Sequence, residues 1–262
     1  MSEYTDFYSS WLGCNIFGNT SSGLAAPIPI PFSPLDISGC SCWYDATDNT
    51  TITLGTGTNV VGWFNKGDLS GSMVPYPGEA TPQTNTHEIN GNNVLWFDAY
   101  QTLYQNLQFT NQAYTLFVVS KTLIDPATAN YVDWFGAYTY GGFSFSLAEF
   151  MGTYYLGSGG NGIDNYVMNS SATYVDKPVI YTVRTSSDLS GNALYQDGTP
   201  LDLNFANQFL GYNTNAIDFY IHIFTHASSV DIGELIVYNR ALQDDEVSSV
   251  QEYLSGKYSI VL

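Results

Sequence analysis

Positive charge is what this chain has least of. Its 262 residues carry six lysines and arginines against 24 aspartates and glutamates, a formal net charge of −18. Only 11% of the residues are charged at all. A surface so short of cations cannot neutralise phosphates, which excludes nucleic acid and anionic membranes as partners. Long apolar runs are missing too. Each is strand-length and interrupted by polar residues, so membrane insertion is not expected. The opening Met1-Ser2-Glu3-Tyr4-Thr5-Asp6 has neither the basic nor the apolar segment of a secretory signal, so export by that route is not expected. Cysteine is scarce: Cys14, Cys40 and Cys42, an odd count with no late partner, exclude a disulfide framework. Zinc wants four ligands, which Cys40-Ser41-Cys42 does not supply. Three reduced thiols, or one bridge from Cys14 to Cys40 or Cys42, remain open.

Aromatic residues are plentiful, with 21 tyrosines and 15 phenylalanines in a chain that is 44% hydrophobic. That is ample for one large core. Alternation of period two dominates from residue 37 onward. Phe143, Phe145 and Leu147 alternate with Ser144, Ser146 and Ala148. Val179, Tyr181 and Val183 alternate with Thr182 and Arg184, and Phe219, Ile221 and Ile223 face away from His222. Strands are predicted near 114–120, 179–184, 217–224 and 232–238. Asn90-Gly91, Ser190-Gly191 and Asp197-Gly198 mark turns. One short helix is predicted near 244–254: Asp244, Asp245 and Glu246 complement its dipole, Val247, Val250 and Leu254 share a face, and Gly256 stands at the C-cap.

Five motifs follow one another in order. They are Cys42-Trp43-Tyr44-Asp45-Ala46 with Trp63-Phe64-Asn65-Lys66; Asn90-Gly91 leading into Val94-Leu95-Trp96-Phe97-Asp98; Tyr114 to Lys121; Tyr195-Gln196-Asp197-Gly198; and Glu234-Leu235-Ile236-Val237-Tyr238-Asn239-Arg240-Ala241-Leu242 running into the helix. Together they resemble the concanavalin A-like families, the laminin-G-like and pentraxin-like domains. Asn65 stands where those families carry a second aspartate. The resemblance implies an all-β, concanavalin A-like jelly-roll β-sandwich of two antiparallel sheets with one short C-terminal helix. It extends over residues 37–262.

Residues 1–36 read as an extended, proline-rich N-terminal arm, with Pro27, Pro29, Pro31 and Pro34 spacing Ile28, Ile30 and Phe32. Such an arm serves either as a strap over its own domain or as a partner-binding segment whose pegs are Trp11, Phe17, Ile28, Ile30 and Phe32. The lead-in from Phe32 to Cys40 is similar to that of coat proteins of large DNA viruses carrying this sandwich.

Catalytic residues are not expected. Hydrolases of this fold set a nucleophile and an acid about 5 Å apart on one strand face. Here Glu149 has no carboxylate within four residues, and strand alternation places Asp231 and Glu234 on opposite faces. Gly157-Ser158-Gly159-Gly160-Asn161-Gly162 fits a dinucleotide-binding spacing but leads into a strand-like segment rather than a helix, so it reads as a hairpin loop. His222 and His226, about 13 Å apart along a strand, are no metal pair. Calcium is the cofactor the resemblance implies, at Asp45, Asp48 and Asp98. Trp134, Tyr138, Tyr140, Tyr154 and Tyr155 qualify chemically as a glycan platform. Trp43, Trp63 and Trp96 are expected in the core. The asparagines of three glycosylation sequons, Asn19, Asn49 and Asn169, matter only in a secretory lumen.

The expectation is a non-enzymatic structural or surface protein of a large DNA virus virion, a minor capsid, decoration or fibre-like subunit. Its partners would be other coat proteins or copies of itself. The alternative is a carbohydrate-binding adhesion module acting extracellularly on cell-surface glycans. A polysaccharide-active enzyme comes third.

Overall fold

The alternating segments pair as strands in the computed structural model, which describes residues 32–98, 101–109, 113–123, 132–138, 144–150, 153–159, 166–169, 176–185, 193–202, 204–205, 217–224 and 229–262. In chain order these form β1 (Cys40–Asp45), β2 (Ile52–Leu54), β3 (Val60–Phe64), β4 (Ser72–Pro75), β5 (Gln83–Ile89) and β6 (Asn92–Phe97). There follow β7 (Thr102–Phe109), β8 (Tyr114–Thr122), β9 (Val132–Tyr138), β10 (Ser144–Phe150), β11 (Thr153–Gly159) and β12 (Tyr166–Asn169). The last are β13 (Pro178–Thr185), β14 (Ala193–Gln196), β15 (Thr199–Pro200), β16 (Asn204–Phe205), β17 (Ile217–Phe224), β18 (Val230–Tyr238) and the helix α1 (Asp244–Tyr258).

They build two antiparallel sheets. One has eight strands in the order β15-β14-β13-β8-β18-β6-β5, with β1 also paired to β18. The other has ten, β16-β12-β11-β10-β9-β17-β7-β4-β3-β2. Trp63, Met73 and Leu103 of the ten-stranded sheet pack with Tyr44, Leu95, Phe97, Leu116, Val118, Val183 and Leu235 of the other in one buried cluster. The protein is therefore a β-sandwich. Among the described residues no helix is long and apolar enough to cross a membrane.

The helix explains why the central strands read as continuous apolar runs. A second cluster, on the outer face of the eight-stranded sheet, joins Phe117, Val119, Ile180, Ile236 and Tyr238 to Val247, Val250, Leu254 and Tyr258 of α1. With one face on the sandwich core and the other under α1, β18 is buried at every residue. The predicted helix face closes the sheet as expected. Its end does not. The helix runs through Gly256 to Tyr258, and Ser259, at φ 52°, takes the left-handed cap. Asn90 and Asn92 donate side-chain N–H groups to the carbonyls of Tyr258 (2.8 Å) and Lys257 (2.9 Å), satisfying the end of a longer helix.

Two turns form as their sequences require. Asn90 (φ 48°) and Gly91 (φ 83°) join β5 to β6, and Asp197 (φ 48°) and Gly198 (φ 73°) join β14 to β15. Paired positive φ is the two-residue hairpin that Asn-Gly and Asp-Gly favour. Of the predicted strands, the four singled out all form, at Tyr114–Thr122, Pro178–Thr185, Ile217–Phe224 and Val230–Tyr238. Ser190-Gly191 lies outside the described residues.

One strand breaks the expected alternation. Pairing of β18 with β8 shifts between Ile232 and Glu234, a bulge centred on Gly233. Val230 and Ile232 point into the sandwich core, and so do Leu235 and Val237. Asp231 and Glu234 therefore share the outer face, correcting the expectation that they lie on opposite faces. Glycine is required at the bulge, because a Cβ on Gly233 would stand 2.8 Å from Cε1 of Tyr258.

Candidate functional site

The first motif residues assemble into a buried charge network. Trp43 donates its indole N–H to Glu234 (2.6 Å), and the Lys257 ammonium bonds both Glu234 (2.6 Å) and Asp45 (2.8 Å). Tyr253 adds its hydroxyl to Glu234 at 3.0 Å. Lys66 completes the network, bonding Asp45 (3.2 Å) and Asp48 (3.0 Å) with its ammonium 3.9 Å from the centre of the Trp43 ring. Burial pushes the Glu234 carboxyl up from its ordinary value, with Lys257 and Trp43 opposing. Burial acts the same way on Asp45, but the hydrogen bonds and charges of Lys257, Thr47 and Lys66 outweigh it and hold that carboxyl below its ordinary value. Asn65 makes the tie its position demands. It accepts from the Trp43 N–H (2.8 Å) and donates to the carbonyls of Ser41 (3.0 Å) and Leu69. These residues lock β1, β18 and α1 together.

Asp231 sits apart from Glu234 in its partners. Fully buried, it bonds His87 Nδ1 at 2.8 Å and faces the Lys121 ammonium at 3.4 Å. His87 stacks on Trp96, ring centres 4.7 Å apart, and Trp96 donates to Ser229 (2.7 Å). Trp96 is thus half-buried on the outer side of the sheet rather than in the core, whereas Trp43 and Trp63 are buried as expected.

The calcium candidates do not converge. Asp45 and Asp48 share the Lys66 ammonium, which stands where a cation between them would sit. Asp45 is opposite Glu234, while Phe97, next to Asp98, is opposite Val230, four residues along β18 and so about 13 Å away. The three aspartates do not fit one calcium. Among the described residues no group of three His, Cys, Asp or Glu side chains could hold a metal. Millimolar calcium and EDTA are accordingly expected to leave the melting temperature unchanged, within about 1 °C. A calcium-dependent rise of several degrees would restore the site. Cys40 and Cys42 are buried free thiols, and burial pushes Cys40 up to about 12.

The open ground is the outer face of the ten-stranded sheet. Alternation sends Trp63 of β3, Met73 of β4 and Leu103 of β7 into the core, and a register shift against β2 lets Val60 join them. Their neighbours point out: Phe64 is 50% exposed, Tyr76 45% and Val74 40%. Tyr76, just past β4, meets Tyr104 edge-on, ring centres 5.4 Å apart. Register extends the face across the sheet. Val74 is opposite Tyr104, Tyr104 opposite His222, and His222 opposite Gly136. In the next row Asn106 is opposite Tyr220 and Tyr220 opposite Tyr138. Gly136 is opposite Ser146 and Ser146 opposite Gly157, so small residues continue the first row. Such a face offers flat apolar rings beside hydroxyl and amide groups.

The predicted platform residues divide. Tyr138 takes its place in that row. Tyr155, opposite Ala148 and Met168, has the same strand parity as Gly157 on the same face. Tyr154, in register with Glu149, has the opposite strand parity, so Tyr154 and Tyr155 do not share a face. Trp134 occupies the register shift of β9 between Asp133 and Phe135. Tyr140 lies outside the described residues, as do Trp11, Phe17, Ile28, Ile30, Cys14 and His226. Phe32 packs on Tyr253 of the chain's own helix, ring centres 5.8 Å apart, and Tyr238 donates to the Pro34 carbonyl (2.9 Å). The segment from Phe32 is therefore part of the sandwich. Gly157 to Gly159 end β11, and the strand β12 follows rather than a helix.

Sequence reasoning missed Phe64, Val74, Tyr76, Tyr104 and Asn106. No local signal marked them: Leu103 with Gln105, and Tyr104 with Asn106, each pair one apolar and one polar residue on alternate sides of β7.

Among the described residues, this is a β-sandwich whose ten-stranded sheet exposes Phe64, Val74 and Tyr76 on its outer face. No protein-family model matches the chain, and no curated protein sequence matches it. Solved structures do. The chain is similar to the binding domain of botulinum neurotoxin serotype D/C VPI 5993, with a TM-score of 0.63 at 10% identity, covering 85% of this chain and 53% of that one. The binding domain of botulinum neurotoxin DC in complex with SialylT matches at TM-score 0.61 and 10% identity, covering 83% and 52%. The same domain with rat synaptotagmin II matches at 0.62 and 9%, covering 82% and 52%. The chain spans about half the length of these domains, and the likeness establishes a shared β-sandwich fold.

Proposed function

We propose that this chain is a carbohydrate-binding adhesion module, a lectin-like jelly roll of the concanavalin A-like kind without enzymatic activity. The observation that carries the reading is the sheet face on which Phe64 and Tyr76 are exposed and Tyr76 meets Tyr104, with Tyr220 and Tyr138 at the following register positions. Sugars present a flat C–H face to aromatic rings and hydroxyls to polar neighbours, and Asn106 and Ser72 stand beside those rings. Structural neighbours that are binding domains, one of them in complex with SialylT, support the reading. A virion role draws on the N-terminal arm, the low charge and the lead-in likeness of the sequence, and toxin binding domains give it no support. Hydrolysis is disfavoured because Asp231 and Glu234, though on one face, are each buried against a cation. A module of this kind works where glycans are displayed, outside a cell or on a particle surface.

A glycan array read with the purified chain tests the proposal. Binding is expected to weaken about tenfold in Tyr76→Ala and in Tyr104→Ala, the effect of losing one aromatic contact, with the melting temperature held. Absence of binding to every glycan by the unaltered chain would sink it, as would binding indifferent to both substitutions.

A further inference from the structure

Every lysine and arginine of the sequence lies among the described residues, so the positive charge of this protein can be accounted for in full. Lys66 is held by Asp45 and Asp48, Lys121 by Asp231 and Asp176, and Lys257 by Asp45 and Glu234. Arg184 pairs with Asp244 at 2.5 Å and Arg240 with Glu246 at 2.6 Å. Lys177 precedes Pro178, which is opposite Lys121 in the eight-stranded sheet. None of the six belongs to a strand of the ten-stranded sheet. Lys66 comes nearest in sequence, two residues after Phe64, but its backbone N–H bonds the Trp43 carbonyl (2.8 Å) and its ammonium lies over the Trp43 ring.

We infer that the open face selects uncharged glycans and rejects sialylated or sulfated ones. The inference rests on the carbohydrate-binding reading above and adds the chemical class of the ligand. Recognition of a carboxylate or sulfate draws its strength from charge-assisted hydrogen bonds, and no lysine or arginine stands on this face to donate one. The surrounding field works in the same direction. A net charge of −18 repels an anionic ligand over about 10 Å at 0.1 M salt. Phe64, Val74 and Tyr76 offer the apolar contact that a neutral hexose face uses instead.

The test pairs each neutral oligosaccharide of glucose, galactose, mannose or N-acetylhexosamine with its sialylated or sulfated counterpart. The full chain is used at pH 8, where histidine is uncharged. Neutral members are expected to bind with an affinity that does not change between 50 and 500 mM salt, over which the screening range shortens about threefold. Their acidic counterparts are expected to bind at least about tenfold more weakly, because the added charge is repelled and finds no cation to pair with. Equal or tighter binding of the acidic members, weakening as salt rises, would overturn the selectivity while leaving carbohydrate binding intact. Binding of neither class would overturn both. Tyr76→Ala should weaken binding of the neutral members about tenfold; neutral binding unchanged by it would place the site elsewhere and overturn the assignment to this face.

Discussion

Replacing Lys257 with methionine should cost about 3–5 kcal/mol of stability, the loss seen when one partner of a buried ion pair is removed. The ammonium of Lys257 bonds Glu234 at 2.6 Å and Asp45 at 2.8 Å, and both carboxylates are buried. Methionine keeps the length and the apolar stem but leaves two carboxylates facing each other with Lys66 as the one remaining cation on Asp45. Urea unfolding at pH 7 reads the loss directly. The pH dependence carries the sign. Asp45 is held below its ordinary 3.8 by its partners, so its contribution is fully present above that value and disappears as pH falls through the folded-state value. Glu234 is raised by burial, so the native state takes up its proton more readily than the unfolded chain, and that group favours folding as pH falls. Without Lys257 both carboxyls should titrate higher, and the variant should regain part of its lost stability toward pH 5. A loss below about 1 kcal/mol, or one that does not depend on pH, would show that the network is not what fastens α1 to the sheet.

Val250→Asp is expected to be as severe, at more than about 3 kcal/mol. Val250 is fully buried where α1 closes the outer face of the eight-stranded sheet, against residues such as Ile180, Ile236 and Phe117. A carboxylate there meets no described cation of its own cluster. Val250→Ala separates charge from packing, since it removes two methyl groups and should cost about 2 kcal/mol. Far-ultraviolet circular dichroism of the unaltered chain should be dominated by strand. An aspartate variant melting with the unaltered chain would mean that the helix does not cover the sheet.

Much of the scaffold was legible in local sequence. Period-two alternation located Pro178–Thr185 and Ile217–Phe224, because a strand with one face in the core imposes that spacing on its own residues, and the continuous apolar run from Tyr114 located Tyr114–Thr122. Asn90-Gly91 and Asp197-Gly198 announced their hairpins because two successive positive φ values favour those pairs. The spacing of Val247, Val250 and Leu254 announced the covered helix face. The candidate face was legible only in part. Tyr138 and Tyr155 were recognised as aromatic, but Tyr76 and Tyr104 were not, since nothing local says which face of a strand another sheet will cover.

What the sequence determined by itself is a charge balance that leaves six cations to serve 24 acids, an aromatic-rich composition, and the period of each segment. Tertiary structure decided everything that depends on partners far along the chain. Trp43 and Glu234 are 191 residues apart, and their bond turns a motif tryptophan and a strand glutamate into one network with Lys257. The bulge at Gly233 brought Asp231 and Glu234 to the same face, because a register shift is set by the neighbouring strand and leaves no mark on local alternation. Asn90 and Asn92, on a hairpin remote in sequence, hold the carbonyls that carry α1 past Gly256. Packing of the two sheets fixed the rest: it buried Trp63, Met73 and Leu103 and left Phe64, Val74 and Tyr76 open.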